Sequence, residues 1–121
     1  MSNITISEYQ TGDELNFDFE LYELGNSFYN FDNAKTIRID NEIIAFITFN
    51  YFKDSELHIG LFEVVKKGQG FGSKIINWIK LYELISRIYI NIPTVRAKNF
   101  WEKNGFLQES DEDWVWKREN N

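Results

Sequence analysis

Alternating apolar and polar residues predict six β-strands along this chain. The strand-like segments are rich in β-branched and aromatic residues, which suit a pleated and half-buried surface. They comprise residues 4–9, 36–40, 43–52, 56–65, 87–92 and 114–117. The polar pair Asn41-Glu42 separates the second segment from the third, so these two strands are expected to form a hairpin.

Apolar residues at helical spacing predict two helices in the second half of the chain. Residues 73–86 place Ile75, Ile79 and Tyr82 on one face. Residues 94–104 form the second helix, which Gly105 is expected to end in the left-handed conformation. The pattern over residues 14–28 fits either a helix or a strand and favours a short helix. Because strands outnumber helices, the predicted class is α/β, with a mixed α+β sheet.

The composition indicates one compact domain that spans residues 1–121. A hydrophobic fraction of 43% is enough for one core. No stretch reaches the roughly 18 apolar residues of a membrane span, and residues 1–10 lack a signal-peptide pattern, so we expect a cytoplasmic protein without membrane contact. With no Cys and a single His, no metal site is expected.

Acidic and basic residues are divided unequally between the two halves. The net charge of -6 argues against nucleic-acid binding. Residues 1–57 carry 11 acidic and 3 basic side chains, whereas residues 58–121 carry 8 acidic and 10 basic ones. Two solvated faces would explain this split, but it also fits an anionic ligand on the second half and a cationic one near the acidic side chains of the first, which include Asp13, Glu14, Asp18 and Glu20.

A glycine-rich loop joins the fourth predicted strand to the first long helix. Gly68, Gly70 and Gly72 expose backbone N–H groups at the start of that helix, and three lysines lie nearby at positions 66, 67 and 74. This combination suits a phosphate group, although a tight turn alone would also use glycine. The order Gly72-Ser73-Lys74 does not match a P-loop, and Ser73 stands where a dinucleotide-binding loop has its third glycine.

Two motifs resemble those of the GNAT superfamily of acyl-CoA-dependent N-acyltransferases. Residues 67–72, Lys-Gly-Gln-Gly-Phe-Gly, are similar to its Arg/Gln-x-x-Gly-x-Gly/Ala loop, with Lys67 in place of the usual Arg or Gln. Residues 97–106 are similar to its Ala-x-x-Phe-Tyr-x-Lys-x-Gly-Phe helix, with Trp101 in place of Tyr. Thr94 replaces an Asn that usually precedes this helix. The resemblance is specific for residues 57–106 and implies a GNAT fold with a shortened N-terminal helical region.

The resemblance implies acetyl-CoA as co-substrate, bound between two strands that part. Backbone groups of the fourth strand would pair with the pantetheine arm, the Phe62 N–H would bind the acyl oxygen, and the loop would hold the pyrophosphate. The cofactor-binding residues implied in this way are Phe62, Glu63, Val64, Lys67, Gly68, Gln69, Gly70, Phe71, Gly72, Ser73, Asn99 and Lys103.

The implied reaction is N-acetyl transfer to a primary amine, which could be a small amine, a polyamine or a peptide. The amine must lose a proton, and Glu56 is the first candidate base and His58 the second, because a period of two places both on the face of Phe62. Trp101 cannot protonate the departing thiolate, so Tyr89, Tyr51 or water would replace the usual Tyr. An alternative is a catalytically weak or inactive protein that binds CoA or a protein partner. Trp114, Trp116 and the strand edges would support a homodimer.

Overall fold

The described part of the chain forms one seven-stranded mixed sheet with helices beside it. The computed structural model describes residues 3–16, 24 and 33–119. The strands are β1 (Ile4–Glu8), β2 (Ala34–Ile39), β3 (Glu42–Lys53), β4 (Glu56–Val64), β5 (Arg87–Ile90), β6 (Leu107–Gln108) and β7 (Trp114–Lys117). The helices are α1 (Phe71–Lys80), α2 (Lys98–Lys103) and a 3-10 turn (Asp13–Asn16). The strand order is β1-β2-β3-β4-β5-β7-β6, and only the β4–β5 pair is parallel among the described strands.

Two tight turns connect the central antiparallel strands. Asp40 and Asn41 have φ values of 52° and 70°, and Asp54 and Ser55 have values of 53° and 67°. Turns with two residues of positive φ match the twist of the flanking strands and set their register. The predicted hairpin is therefore confirmed, but its turn lies one residue earlier than the expected pair, since Glu42 already belongs to β3.

A β-bulge in β4 reverses the side-chain alternation that the sequence predicts. Between the paired positions Ile47↔Phe62 and Phe49↔Ile59, β4 contains one residue more than β3, around Gly60 and Leu61. Ile59 and Phe62 consequently both face the main core, whereas Leu61 packs in a cluster on the opposite face. The prediction that Glu56 and His58 share the face of Phe62 is wrong, because the extra residue separates them.

Helix α1 is shorter than predicted and ends at Lys80 instead of Ser86. Its apolar face is confirmed for Ile75 and Ile79, which are buried, but Tyr82 is 53% exposed. The side chain of Arg118 donates to the carbonyl oxygens of Lys80 (2.7 Å), Tyr82 (2.9 Å) and Ile85 (3.0 Å). The bond to Lys80 satisfies a carbonyl group at the C-terminal end of the helix, and the bonds to Tyr82 and Ile85 hold the segment that follows it. A distant arginine therefore holds the end of α1.

Helix α2 and its neighbours also differ in length from the predictions. The predicted helix over residues 94–104 starts as a turn, in which the Thr94 carbonyl accepts the N–H groups of Ala97 and Lys98, and becomes regular only at Lys98. Gly105 has a φ of 89°, which confirms the predicted end. The strand after α1 stops two residues before the expected boundary, at Ile90, and β6 was not predicted.

The first strands and the 3-10 turn enclose a small polar network around Asp13. The buried carboxylate of Asp13 accepts hydrogen bonds from the Gln10 N–H (3.0 Å), the Thr36 hydroxyl (2.9 Å) and Arg38 (3.3 Å). Glu14 accepts the Tyr9 hydroxyl, and this bond lowers the pKa of Glu14. Two acidic residues that the charge pattern offered to a cationic ligand are thus engaged within the protein. The other two, Asp18 and Glu20, and most of the helix predicted over residues 14–28, lie outside the described residues.

Replacing Asp13 by alanine is expected to lower the free energy of unfolding by about 2 kcal/mol, because it leaves the buried Thr36 hydroxyl without its acceptor. Urea unfolding at neutral pH measures this change. Asp13→Asn retains an oxygen acceptor but not the charge opposite Arg38, so it should cost less. An alanine variant as stable as the wild type would contradict the assigned role.

Among the described residues, no helix has the length and apolar character that crossing a membrane requires.

Candidate functional site

Strands β4 and β5 part at the middle of the sheet. Their parallel pairing ends at Ile59↔Ile90, whereas β4 continues to Val64. At the point of separation the Gly60 carbonyl accepts the side-chain amide of Asn91 at 3.1 Å. A side chain thus replaces the next backbone bond, and no described strand pairs with the rest of β4 on this side. We call the opening between these strands the fork.

The direction of the backbone amides along β4 can be followed through the bulge. The Leu61 N–H donates to the Thr48 hydroxyl at 2.8 Å and the Val65 N–H to the Ile44 carbonyl at 2.7 Å, and both acceptors belong to β3. Since amides of an extended strand point alternately to its two sides, those of Phe62 and Val64 face the fork. The fork edge therefore offers hydrogen-bonding groups that none of the described strands uses.

The bulge itself depends on glycine. A Cβ atom at Gly60 would lie 2.6 Å from both the Thr48 hydroxyl oxygen and the Asn50 side-chain oxygen. A Cβ atom is essentially never found so close to another heavy atom. The side chains of Thr48 and Asn50 therefore occupy the space that any side chain at position 60 would need.

The glycine-rich loop leads from the end of β4 to the first turn of α1. Gly68 and Gly70 have φ values of 78° and 77°, a region that other residues rarely adopt. Gly72 has a different role, because a Cβ there would lie 2.8 Å from the Phe100 ring. Gly70 is the N-cap and provides no side chain to the helix. The first N–H groups of α1 therefore point out of the helix, at its positive end.

Asn104, at the end of α2, supports the first turn of α1. Its buried side-chain amide donates to the Ser73 hydroxyl oxygen at 3.1 Å and to the Phe100 carbonyl at 2.9 Å. With its oxygen accepting from Asn104, the Ser73 hydroxyl can donate its hydrogen to a ligand at the helix start. Asn104 was not predicted, because nothing in the motif indicates that its side chain reaches the other helix.

A cavity of about 590 Å³ lies beside the loop, within the size range of small-molecule sites. Ten of the predicted cofactor-binding residues line it: Phe62, Glu63, Val64, Lys67, Gly68, Gly70, Phe71, Gly72, Ser73 and Lys103. Gln69 and Asn99 are exposed and are not among the described lining residues. Lys66 and Arg96 also contribute, so four cationic side chains surround a cavity that starts at a helix N-terminus. This arrangement suits an anionic ligand.

A second cavity of about 140 Å³ occupies the fork. It shares Phe62, Glu63, Ala97 and Trp101 with the larger cavity, so the two meet at these residues. Most other lining side chains are aliphatic. Glu63 is the only ionisable side chain among the described residues that line the fork cavity.

Trp101 forms an aromatic wall where the two cavities meet. Its ring centroid lies 6.0 Å from that of Phe62, 5.0 Å from that of Phe100 and 4.9 Å from that of Phe106. The side chain therefore packs α2 against the sheet, as its apolar character requires. Tyr51 and Tyr89, the two tyrosines considered as proton donors, are not among the described lining residues of either cavity.

The two predicted bases lie on β4 but outside the described lining of both cavities. Glu56 starts the strand, opposite Lys53 of β3 and Arg87 of β5. The His58 ring stacks on Tyr51 with centroids 5.3 Å apart, and its Nδ1 lies 2.6 Å from the Asn50 side-chain amide. An amide that donates to Nδ1 places the ring hydrogen of neutral histidine on Nε2.

Burial lowers the pKa of His58 below its ordinary value. As the pH falls, His58 is therefore protonated in the unfolded chain before it is protonated in the folded protein. Its contribution to the free energy of unfolding is present above about pH 6.5 and is lost below that pH. We expect the free energy of unfolding to fall between about pH 7.5 and about pH 5.5, and His58→Gln to reduce that fall. Urea titrations at both pH values measure it. An identical pH dependence in the variant would refute the assignment.

Glu63 connects the loop, the fork and the front half of the chain. Its side chain is only 7% exposed, and one carboxylate oxygen accepts the Leu24 N–H at 2.8 Å. The other oxygen pairs with the ammonium group of Lys67 in the glycine-rich loop. This side chain lies on the face opposite Phe62, because neighbouring residues of a strand point to opposite faces. Only the backbone of Glu63 was predicted to bind the co-substrate, and the contacts of its side chain were not predicted.

Solved structures of acetyltransferases are similar to this chain over nearly its whole length. An acetyltransferase from Bacillus subtilis in complex with CoA has 13% identity and a TM-score of 0.63, with 98% of this chain and 100% of that one covered. The ribosomal-protein-S18-alanine N-acetyltransferase from Escherichia coli has 14% identity and a TM-score of 0.63, with coverages of 98% and 96%. The PaiA N-acetyltransferase from Thermoplasma acidophilum in complex with coenzyme A has 14% identity and a TM-score of 0.60, with coverages of 96% and 99%.

Comparison of the sequence with protein-family models and with curated proteins finds no match. The likeness therefore lies in the three-dimensional structure. The glycine-rich loop and the helix after β5 carry the two sequence motifs. The chain has the GNAT fold that these motifs indicate.

Proposed function

We propose that this protein transfers an acetyl group from acetyl-CoA to a primary amine. The observation that carries the proposal is the free edge of β4, which leads directly into a glycine-rich loop at the start of α1. The loop and its cationic neighbours would hold the diphosphate, and the fork edge would pair with the pantetheine arm. CoA in the solved structures of similar fold supports this choice of ligand.

The amine would attack the thioester directly, without a covalent enzyme intermediate. Binding both reactants in adjoining cavities brings the nitrogen close to the thioester carbon, which lowers the entropic part of the barrier. The Phe62 N–H would donate to the carbonyl oxygen as negative charge develops there. The loss of one such preorganised donor typically costs roughly 2.7–4 kcal/mol.

A calorimetric titration with acetyl-CoA, followed by a thiol-release assay over a set of primary amines, tests this function. We expect saturable binding and release of free CoA thiol that depends on the amine. The absence of CoA binding would overturn the proposal.

A second candidate function is that of a protein that binds CoA without transferring the acetyl group. Trp101 favours it, because the indole replaces a tyrosine that would protonate the thiolate and is 7% exposed in an aromatic cluster. The same experiment separates the two functions, since binding without thiol release for every amine would support this second one.

A further inference from the structure

The Glu63 carboxylate is a buried anion at the junction of the two cavities. It lines both of them, and it is the only ionisable group among the described residues of the fork cavity. A buried carboxylate requires a cation or several hydrogen bonds, because its removal from water is costly. In this structure Lys67 supplies the cation and Leu24 supplies one N–H donor.

Lys67 belongs to the loop that would hold the diphosphate of the co-substrate. Its side chain is half-exposed and lines the larger cavity, so the ammonium group can turn from Glu63 towards a ligand. A diphosphate carries more negative charge than one carboxylate and competes effectively for this cation. Once the diphosphate binds Lys67, the Glu63 carboxylate no longer has a cation beside it where it faces the two cavities.

We propose that Glu63 is the residue that binds the acceptor amine and accepts its proton, after the diphosphate has drawn Lys67 away. This inference rests on the proposed function. The substrate class is a compact aliphatic primary amine, because the fork cavity measures only about 140 Å³ and its wall includes Ile59, Leu61 and Ile92. The ammonium group of such an amine replaces Lys67 beside the carboxylate.

The reaction balances with these groups. The substrate ammonium gives one proton to Glu63, and the neutral nitrogen forms a C–N bond with the thioester carbon as the C–S bond breaks. The thiolate takes the second proton, and Glu63 returns the first to solvent. An acetyl-CoA and an alkylammonium ion therefore yield an N-alkylacetamide, CoA thiol and one proton.

Glu63→Gln tests the inference with propylamine as acceptor. The amide retains an oxygen acceptor for the Leu24 N–H but cannot take a proton, so we expect kcat/KM for propylamine to fall by about 100-fold or more. CoA should bind to this variant at least as tightly as to the wild type, and up to about tenfold more tightly, because Lys67 no longer has to leave a carboxylate. Pantetheine, which lacks the diphosphate, should bind equally to both proteins. Calorimetry measures the two affinities.

These outcomes separate a reactive group from a structural one. If Glu63 only stabilised the fold, its replacement would weaken CoA binding together with turnover, and that result would overturn the inference. Unchanged turnover, or failure of the wild type to acetylate propylamine at least tenfold faster than the bulkier tryptamine, would also overturn it. No binding of CoA to the wild type would instead refute the proposed function itself.

Two further variants complete the experiment. Glu8→Gln neutralises the carboxylate of a Glu8–Lys35 ion pair, neither residue of which is among the described lining of the cavities, and it should leave both affinities and turnover unchanged. Glu56→Gln removes the carboxylate of the first candidate base on β4. A loss of turnover in Glu56→Gln but not in Glu63→Gln would overturn the inference in favour of Glu56.

Discussion

Replacing Phe106 by alanine is expected to lower the free energy of unfolding by about 3–5 kcal/mol. The side chain is fully buried, and its ring centroid lies 4.9 Å from that of Trp101 in the core between the helices and the sheet. Removing the ring leaves a cavity that the surrounding residues can fill only in part. The protein therefore loses the hydrophobic free energy of burying the ring and also pays the cost of the cavity that remains. Urea unfolding, followed by tryptophan fluorescence, measures it.

Phe106→Leu is the matched variant. It keeps an apolar side chain of intermediate volume, so the expected loss is smaller, about 1–2 kcal/mol. Equal losses in the two variants would contradict the packing argument, because the cost should follow the volume that is removed. Since Trp101 lines both cavities, we also expect the alanine variant to bind CoA more weakly even where it remains folded.

Replacing Gly70 by valine is expected to weaken CoA binding by about 10- to 100-fold. Gly70 has a φ of 77°, and the native loop conformation costs a β-branched residue about 1–3 kcal/mol. The loop relieves this strain by changing its conformation, and the first N–H groups of α1 then no longer converge on one ligand. Calorimetric titration with CoA measures the affinity.

Gly12→Val is the control for this prediction. Gly12 has a φ of 104°, and a Cβ atom would meet no atom within 4 Å at either glycine, so both substitutions introduce strain without a steric clash. Gly12 precedes the 3-10 turn and is not among the described lining residues of the cavities. We expect this variant to lose stability but to keep its affinity for CoA. Equal loss of affinity in both variants would attribute the effect to global destabilisation.

The sequence predicted the parts of the fold that depend on local patterns. Strand β1, the hairpin between β2 and β3 and the end of α2 at Gly105 each have a signal within a few residues. The glycine-rich loop was predicted for the same reason, since three glycines within five residues between a strand and a helix leave few other conformations.

Features that depend on distant contacts could not be predicted in this way. The bulge in β4 depends on the fit of Gly60 against two polar side chains of β3, and the prediction carried a period of two from Glu56 to Phe62 without an extra residue. The faces assigned to Glu56 and His58 were wrong for this reason. The side-chain role of Glu63 was missed because Leu24, one of its partners, lies 39 residues earlier in the chain.

The bonds from Arg118 to the end of α1 link the tail of the chain to ligand binding. Helix α1 has ten residues and is therefore about 15 Å long, with the glycine-rich loop at one end and Arg118 at the other. If the C-terminal end of α1 loses these bonds, the whole helix can tilt, and its N-terminal end beside the glycine-rich loop then moves as well. Shortening the polypeptide by the few residues that include Arg118 would therefore loosen the support of the anion-binding amides, although Arg118 itself lies at the other end of the helix.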